Sequence, residues 1–415
     1  MLKALMGAPS NSAISQKWVV AWLLSAGLAA DYLTRIGIYS VFPLLRKELI
    51  ASDIVLGLVA SSFPWTYGLL SPVAGYVGDR FSRRAVILAS LVGWSLAAAC
   101  CGLAQSAWQL VALRVVLAAA QVAYMPTAQA LVADVHGHET RAKASGLFQS
   151  GSYAGIFLAG LPAAAVATHL GWRMMLVLSG FVGLLLAVVM WRYLPDGRQR
   201  TGDAQPLSIG EAAALLRVPS ILLIMAAFGL TGIVFWVLFT YLPLFVYERY
   251  HVSLETAAFQ ATFYMQVSAM LLMPAIGGLS DTWTKRDPRN RFLACGLVGL
   301  LGIPALLAVG GGTHPAVLIA GLIAFGIVMA GTDASWMPML CFVTLPRQRA
   351  TAYGILNTCS TLAGGTAAMV TALVMKSVGL GTVISSMAIL FLVLAVLVIL
   401  AGFRRLRHDA VTSVG

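Results

Sequence analysis

Twelve long apolar segments run through this chain of 415 residues, and each is close to or above the roughly 20 residues that an α-helix needs to cross a lipid bilayer. Only 10% of the residues are charged, whereas a soluble domain carries about 25%, so lipid must cover most of the surface. The sequence therefore predicts an all-α membrane protein with twelve transmembrane helices. The predicted spans, numbered 1 to 12, are 18–45, 55–78, 85–105, 109–133, 144–168, 173–195, 219–246, 257–280, 292–310, 315–344, 350–376 and 382–403.

Basic residues are distributed unequally between the loops on the two sides of this membrane. With the N-terminus inside, twenty of the 27 Lys and Arg residues fall on the cytoplasmic side, five fall on the outer side, and Arg35 and Arg114 lie within spans. Cytoplasmic loops are enriched in Lys and Arg. We therefore expect a multi-pass protein of a bacterial inner membrane with both termini in the cytoplasm. Because the net charge of +12 sits in these short loops, it does not indicate nucleic acid as a partner.

Three motifs of the first six spans recur six spans later. The pairs are Pro72-x-x-Gly75-x-x-x-Asp79 with Pro274-x-x-Gly277-x-x-x-Asp281, Gln121-x-x-Tyr124-Met125-Pro126 with Asp333-x-x-Trp336-Met337-Pro338, and Arg141-Ala-x-Ala-x-Gly146 with Arg349-Ala-x-Ala-x-Gly354. This repetition predicts two six-helix halves, 1–195 and 218–415, joined by a cytoplasmic linker, 196–217, whose second part forms a short amphipathic helix. Repeated halves place a substrate site between them, near the bilayer midplane, which favours a transporter over a membrane enzyme or a receptor.

The segment between spans 2 and 3 carries a specific resemblance. Gly75-Tyr-Val-Gly-Asp79-Arg80-Phe-Ser-Arg83-Arg84 resembles the motif between helices 2 and 3 of the major facilitator superfamily, with Ser82 where glycine is commonest. The resemblance implies the major facilitator fold and transport by alternating access. It also implies that a gating motif joins neighbouring helices at the inner face. Its expected members are Gly75, Asp79, Arg80, Arg83 and Arg84, with Asp281 at the repeated position.

Span 1 resembles one group within that superfamily. Asp31-Tyr32-Leu-Thr-Arg35 is similar to the Asn-Tyr-x-Asp-Arg signature of the organic anion:cation symporters, whose substrates include sugar acids, aromatic carboxylates and sulfonates. Further matches to that group are Tyr67, Arg114, Glu139-Thr-Arg141-Ala, Trp336 and Asn357. The segment Ser71 to Arg80 looks equally like the Spinster-type lysolipid transporters.

Two positions depart from the symporter pattern. The acid expected just before Arg35 is Thr34, while an acid appears one turn earlier at Asp31. The glutamate expected in helix 4, which the resemblance makes the proton carrier, is Gln121. An amide does not titrate, so proton coupling through position 121 is excluded.

Only two of the fifteen acids lie deep within spans, namely Asp31 and Asp333. Burying charge in a bilayer is costly, so such residues indicate function by default. Asp31 and Arg35 lie one turn apart on the same helix face, which predicts an ion pair. Either Asp31 only neutralises Arg35, or a substrate anion competes for the guanidinium while Asp31 takes up a proton. Asp333 is either a proton or cation carrier in the second half, or an acid hydrogen-bonded within helix packing.

Basic, aromatic and amide residues of the spans predict a binding site for the substrate. Arg114 is either a second anion contact or a structural partner for Asp31. The predicted substrate-binding set is Tyr32, Arg35, Tyr67, Arg114, Gln121, Gln149, Trp336 and Asn357, and the predicted proton-coupling residues are Asp31 and Asp333.

The predicted function is secondary active transport of a small organic anion, a carboxylate or sulfonate, by proton-coupled uptake. Export of a metabolite, a siderophore-like acid or a lysolipid is the alternative. The partners are then the anion, the proton and the lipid bilayer, and we expect a monomer with no cofactor and no metal.

Overall fold

The computed structural model is almost entirely helical, and it describes residues 11–49, 52–136, 140–195, 210, 214–345 and 348–405. Most of the predicted linker, including most of its amphipathic helix, lies outside the described residues. The helices are α1 Asn11–Ser40, α2 Phe42–Glu48, α3 Asp53–Arg80, α4 Arg83–Gly102, α5 Ala107–Gln121, α6 Tyr124–Val135, α7 Arg141–Ala159, α8 Leu161–Leu170, α9 Trp172–Tyr193, α10 Pro219–Tyr250, α11 Leu254–Thr284, α12 Arg289–Gly311, α13 Pro315–Val343, α14 Arg349–Val378, α15 Leu380–Ser386 and α16 Ala388–Leu400, which ends in a π-helical turn, Ala401–Arg405.

The prediction of twelve spans is confirmed. Within the described residues, twelve helical segments are long and apolar enough to cross a membrane. Three spans consist of two successive helices, α5 with α6, α7 with α8, and α15 with α16. The first span is shorter than predicted, because α1 ends at Ser40 and α2 starts at Phe42 with Pro43 in its first turn. A proline fits a first turn but interrupts a continuous helix, since it has no N–H to donate.

Small residues fix how α1 packs inside the first half. A Cβ atom added to Gly151 would overlap the backbone of Ser25, and one added to Gly155 would overlap Ala29 and the Cβ of Tyr32. Close backbone approach at small residues is the usual way in which membrane helices associate. The contact of α7 with α1 therefore sets the height of Tyr32 in the bundle.

The two halves meet at the end of the bundle away from the linker, called here the remote end. There Arg46 of α2 forms an ion pair with Glu248 of α10, at 2.8 Å. Deeper in the bundle, Trp65 of α3 donates a hydrogen bond from Nε1 to Thr366 Oγ1 of α14, at 3.1 Å. On the same two helices, Gly57 is so close to Ala372 that a side chain would not fit.

The helices are separated at the opposite end, called here the linker end. Gly146 in α7 and Gly354 in α14 occupy repeat-related positions near this end, and no atom lies within 4 Å of where a Cβ would stand on either. Gln149 and Asp333 are exposed. The space between the halves is therefore closed at the remote end and open toward the linker end.

Candidate functional site: a charged cavity between the halves

Arg35 and Asp31 form the predicted ion pair in the middle of α1. Arg35 Nη2 lies 2.7 Å from Asp31 Oδ2. The two residues are only 8% and 1% exposed, so the pair is largely desolvated. Asp31 Oδ1 and Arg35 Nε have no hydrogen-bond partner among the described residues. The pair therefore retains one free acceptor and one free donor.

Three aromatic rings enclose the Arg35 guanidinium. Its Cζ atom lies 4.8 Å from the ring centroids of Tyr32 and Tyr67 and 5.1 Å from that of Phe63. The faces of aromatic rings attract cations, more strongly where water is excluded. This arrangement allows Arg35 to remain charged in a site that holds little water. Phe63 was not predicted from the sequence, although it lies one turn before Tyr67 on the same face of α3.

Arg114 supports α1 and does not contact Asp31. It donates from Nη1 to the backbone oxygen of Arg35 at 3.1 Å and from Nη2 to the hydroxyl of Tyr39 at 3.0 Å. The side chain is 1% exposed, and it also packs over the ring of Phe63. These contacts join Arg114 to the α1 backbone and to Tyr39, and its Nε, like that of Arg35, has no hydrogen-bond partner among the described residues.

The two departures from the symporter pattern contact each other. Gln121 at the end of α5 is completely buried and donates from Nε2 to Thr34 Oγ1 at 2.8 Å. It also lies 3.3 Å from the backbone oxygen of Asp31. Gln121 is thus held against α1 in this conformation and is not accessible from the cavity.

Asp333 lies on the second half and faces the first. It is exposed, yet it lies within electrostatic range of the phenols of Tyr32 and Tyr153 of the first half. No described residue forms a hydrogen bond or ion pair with its carboxylate.

The remaining predicted contacts divide into two groups. Trp336 is buried against the ring of Phe228, which in turn neighbours Tyr353. Asn357, one turn beyond Tyr353 on α14, is half-buried. Gln149 is exposed. Gly155, six residues later on α7, packs at the level of Tyr32, so Gln149 lies nearer the linker end than Tyr32.

The predicted gating residues join helices at the linker end. Arg83 pairs with Asp134 at the end of α6 and donates to the backbone oxygen of Ala130, at 2.7 Å. Arg84 donates to the backbone oxygen of Trp191. Arg80 is exposed. The packing of Gly75 and the side chain of Asp79 lie outside the described part of the chain.

The second half has a comparable connection. Asp281 pairs with Arg291 of α12, which was not predicted from the sequence. Arg291 also donates to the backbone oxygen of Ala334, at 3.4 Å. This oxygen belongs to the residue that follows Asp333, so a linker-end ion pair is connected directly to the helix that carries Asp333.

A separate cavity of about 690 Å³ lies at the remote end. Arg46 crosses it, pairing with Asp53 at 2.9 Å as well as with Glu248. Arg249 and Lys376 also line it. Neither Arg35 nor Asp333 is among the residues that line this cavity.

The repeated helices and the motif after α3 agree with a family model. Residues 24–313 match the model described as Major Facilitator Superfamily. The chain belongs to the Major Facilitator Superfamily. It is accordingly an integral, multi-pass membrane transport protein and not an enzyme.

Relatives within the superfamily include transporters of organic acids. The hexuronate transporter of Bacillus subtilis (strain 168) is 23% identical over 66% of this chain and 67% of its own length. A probable sulfoacetate transporter of Cupriavidus necator is 27% identical over 66% of this chain and 67% of its own length.

The fold has a counterpart among solved structures. A bacterial homologue of the human lysosomal transporter Spinster, in an inward-facing, unoccupied conformation, has a TM-score of 0.83 at 19% identity, over 98% of this chain and 100% of its own. This likeness confirms the predicted fold class.

Proposed function

We propose that this protein is a secondary active transporter of small organic anions and that the Arg35 guanidinium is the anion contact. The observation that carries the proposal is the buried Arg35 guanidinium, whose Nε has no hydrogen-bond partner among the described residues. Guanidinium stays charged and holds carboxylate or sulfonate in a planar fork. The hexuronate and sulfoacetate transporters support the same substrate class.

Proton coupling follows from the ion pair of Arg35 with Asp31. A substrate anion that binds Arg35 replaces Asp31 as its counter-ion, and an unpaired carboxylate in a desolvated site is strongly disfavoured. Asp31 therefore takes up a proton when the anion binds. Asp333 is the second acid that we expect to be protonated. Because Asp333 has no ion pair with a described residue, its protonation breaks none.

The proposed direction of transport rests on symport of the anion with the proton. With both termini in the cytoplasm of an inner membrane, the linker end faces the cytoplasm and the structure represents the inward-open state. An inward proton gradient then drives uptake. The alternative is export of an acid or a lysolipid through the same cavity.

Flux into proteoliposomes tests the proposal. Labelled gluconate, glucuronate and isethionate are offered with and without an inward pH gradient. We expect gradient-stimulated uptake that Arg35→Ala reduces by about tenfold to a hundredfold, the worth of one charge-assisted contact. The matched control is Arg192→Ala, since Arg192 lies at the end of α9, outside the cavity. Absence of any acid flux, together with efflux of lysolipid, would contradict the proposal.

A further inference from the structure

Most of the cations at the remote end converge on one cavity. The five Lys and Arg residues of that end are Arg46, Lys47, Arg173, Arg249 and Lys376. Three of them, Arg46, Arg249 and Lys376, line the cavity of about 690 Å³. They come from three different helices, α2, α10 and α14. Because clefts lined by one sign of charge concentrate ions of the opposite sign, this cavity attracts anions.

The acids of the cavity pair with only one of its three cations. Asp53 and Glu248 are the acids among the lining residues, and both pair with Arg46, at 2.9 Å and 2.8 Å. Within the part of the chain that the structure describes, Arg249 and Lys376 form no ion pair or hydrogen bond. Two positive charges on the cavity wall are therefore left without a counter-ion.

Neutral hydrogen-bonding groups complete the lining. Thr382 and Ser385 of α15 line the cavity, and the hydroxyl of neither forms a hydrogen bond with a described residue. The backbones of Gly310 and Gly381 approach so closely that a Cβ atom fits at neither position, which fixes α15 against α12. Guanidinium, ammonium and hydroxyl groups all donate to oxyanions. A cavity of this volume is also typical of sites for small molecules.

Arg46 has one buried partner and one replaceable partner. Asp53 belongs to the same half as Arg46, and its side chain is only 4% exposed. Glu248 belongs to the other half, and its side chain is 47% exposed. An exposed ion pair contributes little free energy, so an oxyanion that enters the cavity competes with Glu248 for Arg46 while Asp53 keeps its place.

We propose that this cavity is a second anion site, in which Arg249 and Lys376 hold a carboxylate, sulfonate or phosphate group that competes with Glu248 for Arg46. A bound anion weakens the ion pair that joins the halves at the remote end, and so favours opening there. Two sources share this chemistry, a dissolved organic acid and the headgroup of an acidic lipid. For the dissolved acid, the inference rests on the proposed function, because the ligand is then of the transported class.

Gluconate binding to single-charge variants tests the site. Equilibrium dialysis of the purified full chain with labelled gluconate compares the wild type with Arg249→Gln and Lys376→Gln. We expect each variant to weaken the second site by about fivefold to tenfold, the worth of one charge-assisted contact, and to leave the site at Arg35 unchanged. Glu248→Gln should instead tighten the second site by at most about fivefold, because it removes the competing carboxylate. The matched control is Lys47→Gln, which removes a charge at the same end but outside the cavity lining and should change neither site.

A lipid arm distinguishes the two sources of the anion. Phosphatidylglycerol retained by the purified chain is counted in the same proteins. Less retained lipid in Arg249→Gln and Lys376→Gln than in the wild type and Lys47→Gln would support the site and assign it to a lipid headgroup. Weaker gluconate binding in the same two variants, with retained lipid unchanged, would support the site and assign it to a dissolved acid.

Equal binding of gluconate and equal retention of phosphatidylglycerol in the wild type, Arg249→Gln and Lys376→Gln would overturn the inference. Failure of the wild type to bind either probe would overturn it as well. If gluconate binding is unchanged in these two variants but abolished in Arg35→Ala, the proposed function stands without the second site. Gluconate binding that survives in Arg35→Ala and is weakened by Arg249→Gln would support the second site and contradict the anion contact proposed at Arg35.

Discussion

The Nε2 atom of Gln121 lies 2.8 Å from the hydroxyl oxygen of Thr34, which joins the two positions where the resembled symporters carry acids. Two carboxylates at this distance would repel each other unless one were protonated. Here a neutral amide and a neutral hydroxyl fill the positions, and the contact between α1 and α5 does not titrate. The proposed proton coupling therefore rests on Asp31 and Asp333.

Gln121→Glu is expected to restore a titratable group at this contact. The buried glutamate binds Thr34 only as the neutral acid or at the cost of a desolvated charge, about 1–3 kcal/mol or more. Gluconate flux should therefore acquire a new decline as the pH rises, which the wild type does not show. Gln121→Met is the control, since it removes the amide without adding a charge. An identical pH profile in wild type and Gln121→Glu would contradict this account.

Asp31→Asn is expected to separate binding from coupling. The amide is neutral at every pH, so Arg35 becomes available to the anion without proton uptake. Gluconate should still exchange across the membrane, while accumulation driven by the pH gradient should be lost. Exchange and accumulation measured on the same proteoliposomes decide this. Accumulation at the wild-type level would mean that Asp31 is not a carrier.

Arg114→Met is expected to lower stability more than specificity. The change removes two hydrogen bonds from a buried cation, to Arg35 O and Tyr39 Oη, each worth about 1.5–3 kcal/mol. Thermal unfolding in detergent should shift to lower temperature. The ratio of gluconate to isethionate affinities should stay within about twofold if Arg114 acts only by holding α1 and Tyr39. A changed affinity ratio with unchanged thermal stability would instead make Arg114 a substrate contact.

Glu248→Gln is expected to weaken closure at the remote end. The Arg46–Glu248 ion pair joins the two halves, but both side chains are at least one-third exposed, so its worth is about 0.2–1 kcal/mol. The equilibrium should shift toward the outward-open state by at most about fivefold. Distances between spin labels on α2 and α14 measure the shift. Glu48→Gln, at the same end of the bundle, is the control, because the ion pair of Glu48 with Arg173 lies within the first half. An equal shift in both variants would contradict a role of the Arg46–Glu248 ion pair in closure.

His136 predicts a dependence of stability on pH. Its ring is buried at the end of α6, where Nε2 lies 3.1 Å from the backbone oxygen of Lys17 and the ring packs edge-on against Trp18. Burial lowers the pKa of His136, so the folded protein binds this proton less readily than the unfolded chain. Stability should hold above the ordinary histidine pKa of about 6.5 and fall as the pH drops below it. His136→Gln should reduce that slope in thermal unfolding, and an unchanged slope would exclude His136 as its source.

The fold was predictable because bilayer physics fixes it. Apolar runs of spanning length and the repeated motifs at Pro72 and Pro274 were sufficient for twelve spans. The break at Ser40 was missed because residues 41–45 are as apolar as the span before them. Pro43 in the first turn of α2 interrupts the predicted span 18–45, which is continuous by hydropathy alone.

The site was predictable only where contacts are local along one helix. Asp31 and Arg35 are four residues apart, so helix geometry brings them together without knowledge of the tertiary structure. Phe63 lies four residues before Tyr67, so helical periodicity could have indicated it once Tyr67 was singled out. Arg291 pairs with Asp281 across two helices, and no periodicity in the sequence indicates that contact. Whether Arg114 faced the cavity or α1 depended likewise on the rotation of α5, which composition does not determine.

Proton uptake on anion binding tests the central claim most directly. Purified protein in weakly buffered solution with a pH-sensitive dye receives saturating gluconate at neutral pH. We predict alkalinisation equivalent to at least about one proton per bound anion, as linkage between anion binding and carboxylate protonation requires. The alkalinisation should be smaller in Asp31→Asn and absent in Arg35→Ala. Gluconate binding to the wild type with no proton uptake would contradict competition between the substrate and Asp31 for Arg35.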